Sequence, residues 1–430
     1  MSRHDLRGLA ASIVRALREA GHTAYFAGGC VRDELLGLAP KDFDVATSAR
    51  PDEIRRLFPR TAHVGAAFGV VLVHDRAGSV EVATFRSDGP YTDRRRPDAV
   101  TFADEIADAQ RRDFTVNALF LDPLAPPDSP SRVIDHVGGV GDLAARVLRA
   151  VGVPDQRLAE DHLRALRAVR LSTRLGLRID PATAEAIRRH ASSLEGVSRE
   201  RIGDELRLML TSDAAPEALR QLHDLLLDRP VFHRPLANGS PPLEAPLLTA
   251  LRGRNRPFAA ALAAALADRE GPSLLADTPS AAALRLDVVT TTRAALCLSN
   301  DERDDTLATL ELTAAVLHRF AQRPVAGQKR LAAARCFRAS VDLARGVDAA
   351  TADRAEQRVQ ELSGMYGGLA PQPLVDGDRL IGAGFRPGPA FKRLLDQVYD
   401  AQLEGRITSA EEGLQLASHL AGNNAGGTGV

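Results

Sequence analysis

The sequence has no tryptophan, and aromatic residues make up only 4% of its 430 residues. Its three cysteines, Cys30, Cys297 and Cys336, are scattered and odd in number, which argues against a disulfide framework. No apolar run approaches the roughly eighteen residues of a membrane span, and the first residues show no signal-peptide pattern. These absences predict a reducing, cytoplasmic setting and no membrane partner.

A strong positive charge is also missing, because 55 basic residues stand against 56 acidic ones and the formal net charge is −1. Almost all of the basic residues are arginines, with lysine only at positions 41, 329 and 392. Proteins that bind nucleic acid tightly and without sequence specificity usually contain a basic domain. The balance of charges in this chain therefore argues against such binding. It does not exclude an enzyme that must release each nucleic-acid substrate.

The chain is long enough for several domains, and the spacing of its apolar residues changes once along its length. The pattern is rich in strands up to about residue 149, whereas beyond residue 141 it becomes helical. This predicts an α+β fold with a small mixed or antiparallel sheet in a head, followed by an elongated all-helical neck, body and tail. The predicted boundaries are 1–147 for the head, 148–228 for the neck, 229–365 for the body, and 366–430 for the tail with its disordered end.

The most informative segment begins with Gly28-Gly29-Cys30-Val31-Arg32-Asp33, directly after the strand-like Tyr25-Phe26-Ala27. The pattern predicts a strand, a tight turn and a helix from Val31 to Leu36. The first backbone amides of such a helix bind phosphate oxygens, and only glycine lets those oxygens approach closely. Arg32, one turn into the helix, would donate two N–H groups to the same phosphates.

Two acids, Asp42 and Asp44, follow within a β-forming stretch. Residues i and i+2 of a strand share one face, so the two carboxylates would lie side by side. Two hard oxygen ligands beside a phosphate cradle predict a Mg²⁺ site for phosphoryl or nucleotidyl transfer. The alternative, a pair of exposed acids, leaves unexplained why unpaired carboxylates interrupt a strand.

These residues resemble a known family, the class II CCA-adding tRNA nucleotidyltransferases, whose superfamily also contains bacterial poly(A) polymerases. The first family motif matches Gly28 to Asp44 at all of its fixed positions. A second, Arg-Arg-Asp-Phe-Thr-x-Asn-Ala, stands at Arg111 to Ala118, and a third, Glu-Asp-x-x-Arg-x-x-Arg, at Glu160 to Arg167. The resemblance covers roughly residues 22–210.

The resemblance implies a template-independent enzyme that adds C, C and A to tRNA 3′ ends from CTP and ATP by two-metal nucleotidyl transfer. It implies that Asp42 and Asp44 hold the Mg²⁺ ions. Glu81, on the opposite face of a predicted strand from its valine neighbours, becomes a third acid, although it could also be a surface residue of an edge strand. The residues implied to bind the nucleotide are Gly28, Gly29, Arg32, Arg112, Asp161, Arg164, Arg167 and Arg170.

Four of those residues recur every three positions in a helix that we predict from Asp155 to Leu175: Asp161, Arg164, Arg167 and Arg170. From spacing alone they would be a surface ladder of ion pairs. An aspartate, however, accepts from an exocyclic amine, and an arginine donates to ring nitrogen and carbonyl acceptors. In the family the first two positions read the base of CTP or ATP. Arg167 and Arg170 would then hold phosphates, or hold the helix against the head.

Several alternatives stay open at this point. The run Arg94-Arg95-Arg96 is either a solvated loop or a phosphate clamp, and family members that add the terminal adenosine carry a loop here. That disfavours an enzyme adding only the two cytidines. A poly(A) polymerase, an enzyme adding only A and a catalytically silent RNA-binding protein remain, although the segment Val64–Val70 looks more like the tRNA enzymes. The chain could act as a monomer or a homodimer.

Overall fold

The computed structural model describes residues 3–63, 69–91, 97, 99–234, 244–254 and 256–425. The chain divides into two compact units, Met1–Pro235 and Leu236–Val430. Nothing in the described residues forms a helix that is both long and apolar enough to cross a membrane. The predicted Arg run at 94–96 and most of the segment 64–70 lie outside the described residues.

The first unit contains a seven-stranded mixed sheet of order β3-β4-β5-β2-β1-β8-β9, and two small two-stranded sheets, β6-β7 and β10-β11. Within the large sheet the β2–β5 pair is parallel and the other pairs are antiparallel. The strands are β1 (Ala24–Ala27), β2 (Asp44–Thr47), β3 (Thr61–His63), β4 (Val70–Asp75), β5 (Gly78–Thr84), β6 (Arg86–Asp88), β7 (Val100–Phe102), β8 (Phe120–Leu121), β9 (Val133–Ile134), β10 (Val147–Leu148) and β11 (Arg178–Ile179).

Helices flank this sheet and then replace it along the chain, which confirms the predicted α+β class of a mixed head followed by helices. The helices of the first unit are α1 (Arg3–Glu19), α2 (Gly29–Leu35), α3 (Pro51–Leu57), α4 (Glu105–Gln110), α5 (Gly139–Ala144), α6 (Pro154–Glu160), α7 (Arg164–Leu175), α8 (Pro181–His190), α9 (Arg199–Leu210), α10 (Ala215–Asp224) and α11 (Asp228–Phe232).

The apolar face of α1 anchors the sheet. Ala10, Ile13, Val14 and Leu17 follow the spacing of one helix face and are fully or almost fully buried. They belong to the same hydrophobic core as residues of β2 and β5, including Val45, Val80 and Val82. This core holds the two parallel strands that carry Asp44 and Glu81 on their other face.

The helix predicted from Asp155 to Leu175 is interrupted, so this prediction is wrong at one position. α6 ends at Glu160, and Asp161 has the extended dihedral angles φ −146° and ψ 104°. Its side-chain Oδ1 accepts a hydrogen bond from the amide of Leu163 at 3.1 Å, and its carbonyl accepts one from Arg164. An aspartate side chain that accepts a hydrogen bond from a nearby backbone N–H competes with the hydrogen bonds of a helix. The next helix, α7, therefore begins only at Arg164.

The second unit is helical throughout residues 244–254 and 256–425, and no strand occurs in these ranges. Its Ala-rich helix from Phe258 to Glu270, most of whose residues are buried, packs against the helices Asn300–His318, Pro246–Ala250 and Phe337–Val347. The helices are α12 (Pro246–Ala250), α13 (Phe258–Glu270), α14 (Pro279–Leu296), α15 (Asn300–His318), α16 (Val325–Ala332), α17 (Phe337–Val347), α18 (Ala349–Gly364), α19 (Gly377–Gly382), α20 (Pro389–Leu403) and α21 (Ala410–Ala425).

Candidate nucleotide site

The predicted strand, turn and helix around the double glycine are confirmed. β1 ends at Ala27, Gly28 takes the positive φ of 74°, and α2 begins at Gly29. A Cβ atom on Gly28 would lie 2.9 Å from Nη1 of Arg112, closer than such contacts normally come. Gly28 is therefore required both by its backbone conformation and by the arginine that packs over it.

The two aspartates lie beside this turn, but only one belongs to a strand. Asp44 is the first residue of β2, whereas Asp42 precedes the strand, contrary to the expectation that both would lie on it. Phe43 between them is buried and packs on Phe26, with ring centroids 5.3 Å apart. Both aspartates are exposed and the phenylalanine is buried, so successive side chains still point to opposite sides of the chain, as they do in a strand.

Glu81 lies next to Asp44 across the parallel strand pair, where the two residues are register partners. On its other side Asp44 pairs with Ala27, the residue before the glycine turn. The pKa of Asp44 is raised to about 6, chiefly because protein displaces water around it and then because of repulsion from Glu81 and Asp42. Attraction to Arg112 opposes this rise in the pKa of Asp44.

The carboxylates of Asp42 and Asp44 suit Mg²⁺ only if a substrate supplies further oxygen ligands to the ion. Among the described residues, no group of three or more His, Cys, Asp or Glu side chains is arranged to hold a metal by itself. Mg²⁺ usually takes one or two carboxylates and completes its octahedron with waters and substrate phosphates. Asp42 and Asp44 offer two such carboxylates, and their mutual repulsion is what a cation would relieve.

A cleft of about 950 Å³ opens over the glycine turn and is lined by nine arginines and four aspartates. Asp42 and Glu81 do not line it. The residues predicted from the sequence that do line it are Gly28, Gly29, Arg32, Asp44, Arg112, Asp161, Arg164, Arg167 and Arg170. The excess of arginine makes this cleft attractive to a polyanion such as a triphosphate, even though the whole chain is nearly neutral.

Arg112 is held in place by the buried Asp108. Its Nε and Nη2 donate to Asp108 Oδ2 at 3.2 and 2.9 Å, and its Nη1 donates to the carbonyl of Asn117. Arg111 donates to Oδ1 of the same aspartate, so the two adjacent arginines converge on one carboxylate. Burial alone would raise the pKa of Asp108, but Arg112 and Arg111 together lower it.

Arg32 is more enclosed than its predicted role implies, with only 5% of its surface exposed. Its Nε donates to Asp33 at 2.8 Å, and its Nη1 donates to the side-chain oxygen of Asn117. These bonds fix the plane of the guanidinium, and they leave only its remaining N–H groups for a ligand in the cleft.

Sequence reasoning missed two residues that connect the glycine turn to the neck, Asp113 and Asn117. The side-chain Nδ2 of Asn117 donates to Asp113 Oδ1 at 3.1 Å, and Arg167 of α7 donates twice to Asp113 Oδ2, at 2.9 and 2.7 Å. Burial alone would raise the pKa of Asp113, but Arg167 and Asn117 lower it to about 2. Both residues occupy fixed positions of the second motif, which was the available signal.

The residues of the predicted ladder on the neck each have a partner on another element or turn. Asp161 Oδ2 accepts from Arg201 of α9 at 2.7 Å, and Arg170 donates to Glu205 of α9 at 2.6 Å. Arg164, which is buried, binds Glu160 and the carbonyl of Arg157 and lies 5.9 Å from the ring centroid of Tyr91. The surface-ladder interpretation is therefore wrong, because these side chains line a cleft.

Comparison with known proteins shows what two segments of the chain resemble. Residues 24–149 match the family model described as the Poly A polymerase head domain, and residues 176–237 match the probable RNA and SrmB-binding site of polymerase A. Residues 24–149 are therefore similar to the head domain of poly A polymerases. Both matched segments lie in or next to the first unit, which contains the whole cleft.

Curated relatives of this family are CCA-adding enzymes. The chain is 44% identical to the CCA-adding enzyme of Levilactobacillus brevis over 215 residues, 50% of this chain and 53% of the relative. It is 42% identical to that of Bacillus subtilis over 211 residues, 49% of this chain and 52% of the relative. The chain thus spans about half the length of the curated relatives it matches.

Solved structures of CCA-adding enzymes match almost the full length. The Bacillus stearothermophilus enzyme in complex with CTP is 27% identical with a TM-score of 0.71, covering 97% of this chain and 98% of that one. The Thermotoga maritima enzyme complexed with tRNA is 18% identical with a TM-score of 0.65, covering 96% and 95%. The second likeness concerns the fold alone, whereas the first, with the matches to the family models and the curated relatives, confirms the resemblance stated from the motifs.

The Gly28→Ala variant is expected to lose about tenfold or more in kcat/KM for the nucleotide. The added methyl group would push Arg112 away from the carbonyl of Asn117, and losing one charge-assisted contact costs about 1.5–3 kcal/mol. Gly37→Ala is the control for placing alanine at a positive φ, because Gly37 has a φ of 69° and its Cβ would meet nothing within 4 Å. If both variants lost activity equally, the contact with Arg112 would not be the cause.

Proposed function

We propose that this protein is a template-independent tRNA nucleotidyltransferase that adds C, C and A to tRNA 3′ ends from CTP and ATP. The observation that carries the proposal is the position of Asp44, between Glu81 and the glycine turn, at an arginine-lined cleft. Support also comes from the curated relatives, which are named CCA-adding enzymes. In this proposal residues 1–147 are the catalytic head, 148–228 the base-reading neck, 229–365 the body and 366–430 the tail.

The head would bind the triphosphate and the metal together. Asp42 and Asp44 would hold Mg²⁺, which when bound supplies the positive charge that neutralises the developing charge on the phosphates. Arg112 and the free N–H groups of Arg32 would hold the triphosphate over Gly28 and Gly29. Glu81, adjacent to Asp44, would keep the negative potential that favours the cation.

The chemistry is an in-line displacement at phosphorus. The 3′-hydroxyl oxygen of the tRNA forms a bond to the α-phosphorus, the bond from that phosphorus to the bridging oxygen breaks, and pyrophosphate leaves with the electron pair. The hydroxyl proton is released to water or to a carboxylate of the site. Positioning and charge stabilisation account for such catalysis, and no protein nucleophile is required.

The neck would select the base. Asp161 Oδ2 already accepts from Arg201, and this bond fixes the carboxylate while leaving lone pairs for an exocyclic amine. Arg164 would donate to the ring nitrogen and carbonyl of cytosine. Arg167 and Arg170 are bound to Asp113 and Glu205, which supports the part of the proposal in which they hold the neck in place.

The decisive experiment gives the purified protein a tRNA that lacks its CCA end and supplies CTP alone, ATP alone or both. We expect two cytidines with CTP alone and a complete CCA end with both nucleotides, read by sequencing the products. Asp42→Ala protein serves as the control for a contaminating activity. A ladder of adenosines from ATP alone would identify a poly(A) polymerase instead, and a single A added only to tRNA ending in CC would identify an A-adding enzyme.

A further inference from the structure

Tyr91 lines the cleft, but the proposed reaction assigns it no role. Its side chain is half-buried and belongs to the head, shortly after β6. The centroid of its ring lies 5.9 Å from Cζ of Arg164, the arginine that the neck would use to read the base. A guanidinium within about 6 Å of the centroid of an aromatic ring is attracted to the face of that ring. The contact therefore joins a residue of the head to the proposed base reader.

The ring of Tyr91 is fixed by a buried acid. Its Oη donates to Asp88 Oδ2 at 2.7 Å, and the side chain of Asp88 is only 6% exposed. Arg86 Nε donates to Asp88 Oδ1 at 3.1 Å, and Arg111 Nη1 lies 3.6 Å from Asp88 Oδ2. Burial and the hydrogen bond to Asp88 raise the pKa of Tyr91, so the phenol keeps the proton that it donates. The ring is thus attached to a well-anchored part of the head.

Arg164 is held by the neck at one nitrogen of its guanidinium. Its Nη1 donates to the carbonyl of Arg157 at 2.6 Å and also to the carboxylate of Glu160. Among the described residues, its Nε and Nη2 make no hydrogen bond, so both can donate to a base. A guanidinium fixed at one nitrogen can still tilt its plane about that point. An aromatic ring that faces Cζ restricts this tilt.

The tilt of the guanidinium plane decides how well Arg164 can read a base. A hydrogen bond to a carbonyl is strongest when the N–H group lies near the plane of the acceptor and its substituents. Cytosine presents a ring nitrogen and a carbonyl as neighbouring acceptors, so it uses two donors of the arginine. Adenine presents one ring nitrogen beside its amine and uses one donor. Uracil carries an N3–H group where cytosine has an acceptor, and that hydrogen opposes an N–H group of the arginine.

We propose that Tyr91 is a positioning residue that sets the plane of the Arg164 guanidinium and thereby favours cytidine over uridine nucleotides. The inference rests on the proposed function, because it takes Arg164 as the residue that reads the base. It deepens that function by giving a side chain of the head a part in selecting the base. Tyr91 acts through the arginine and not through a contact of its own with the nucleotide.

Equilibrium binding of CTP, UTP and ATP to the full chain, measured by calorimetry with Mg²⁺ and without tRNA, tests the proposal. Tyr91→Leu and Tyr91→Met remove the aromatic face but keep an apolar side chain. We expect both variants to raise the Kd of CTP by about tenfold, as loss of a cation–π contact predicts, with a smaller rise for ATP and none for UTP. The preference for CTP over UTP should fall by the same factor. Tyr91→Phe keeps the aromatic face and should stay within about threefold of the unchanged protein.

Tyr399→Leu is the matched control. Tyr399 is also half-buried, its Oη donates to a carbonyl, and its ring centroid lies 5.0 Å from Cζ of Arg330, but it does not line the cleft. This variant should change none of the three affinities. The proposal is overturned if Tyr91→Leu and Tyr91→Met bind CTP as tightly as Tyr91→Phe does. It is also overturned if they weaken binding of all three nucleotides equally, as a general loss of structure would.

The two readouts separate this inference from the proposed function. CCA addition by the unchanged protein tests the function, whereas nucleotide binding without tRNA tests the contact between Tyr91 and Arg164. A protein that prefers CTP in the expected way but adds nothing to tRNA would refute the function alone. A protein that adds CCA while its Tyr91→Leu variant prefers CTP normally would refute the positioning role alone. A protein that binds none of the three nucleotides would refute both.

Discussion

Replacing Asp44 by asparagine is expected to reduce kcat for nucleotide incorporation by about a thousandfold, with the fold intact. The amide keeps the size of the carboxylate but removes the negative charge that a divalent ion requires. Metal ions supply several kcal/mol of charge stabilisation in such reactions, and about 4 kcal/mol corresponds to three orders of magnitude in rate. No other described residue has a carboxylate at this place between the glycine turn and Glu81.

Single-turnover incorporation of CTP into a tRNA without its CCA end measures this loss, and thermal unfolding measures the fold. Because the substitution also removes repulsion from Glu81 and Asp42, the melting temperature should stay constant or rise slightly. Asp75→Asn is the matched control, since Asp75 is an exposed residue at the end of β4 in the same sheet. Full activity of the Asp44→Asn protein would refute the assignment of the metal site.

Arg167→Ala is expected to lower the free energy of unfolding by about 3 kcal/mol at neutral pH. The substitution leaves the buried carboxylate of Asp113 with Asn117 and one backbone amide as partners but without its counter-charge. Removing one member of a buried ion pair typically costs about 3–5 kcal/mol, and the partial exposure of Arg167 places this case at the lower end. Nucleotide addition should fall as well, because α7 is no longer fixed to the second motif.

The dependence of this loss on pH follows from the pKa of Asp113, which the fold lowers from its ordinary value to about 2. A lowered carboxyl pKa adds stability above the pKa of the unfolded chain, and that stability disappears as pH falls towards 2. The difference in stability between the two proteins should therefore be full at pH 7 and narrow below about pH 4.

Urea unfolding at several pH values measures this difference. Arg174→Ala is the matched control on the same helix, since its partner Asp33 keeps Arg32. Asp113→Asn in the Arg167→Ala background should recover part of the stability, because it removes the uncompensated charge. A loss that is the same at all pH values would show that packing, and not the ion pair, is responsible.

Features that depend on neighbouring residues could be predicted from the sequence. The apolar spacing of α1, the glycine turn and the strand that carries Glu81 are set by local periodicity and by backbone freedom at Gly28. The motifs also named nine of the residues that line the cleft. Their roles in catalysis remain predictions.

Features that depend on distant residues could not be predicted. The break at Asp161 is stabilised by Arg201, forty residues later in the chain, and by a local bond to Leu163. The convergence of Arg111 and Arg112 follows from the single buried carboxylate of Asp108 at the end of α4. Periodicity carries no information on which acid an arginine will find, since that depends on how separate elements pack.

The contact between Asp113 and Arg167 also limits how the cleft can open. Swinging α7 outward would take Arg167 away from Asp113 and leave that buried carboxylate without its counter-charge. Such a motion is therefore energetically unfavourable. Entry of a nucleotide and departure of pyrophosphate therefore require a path along the open side of the cleft, with the wall formed by α7 remaining in place.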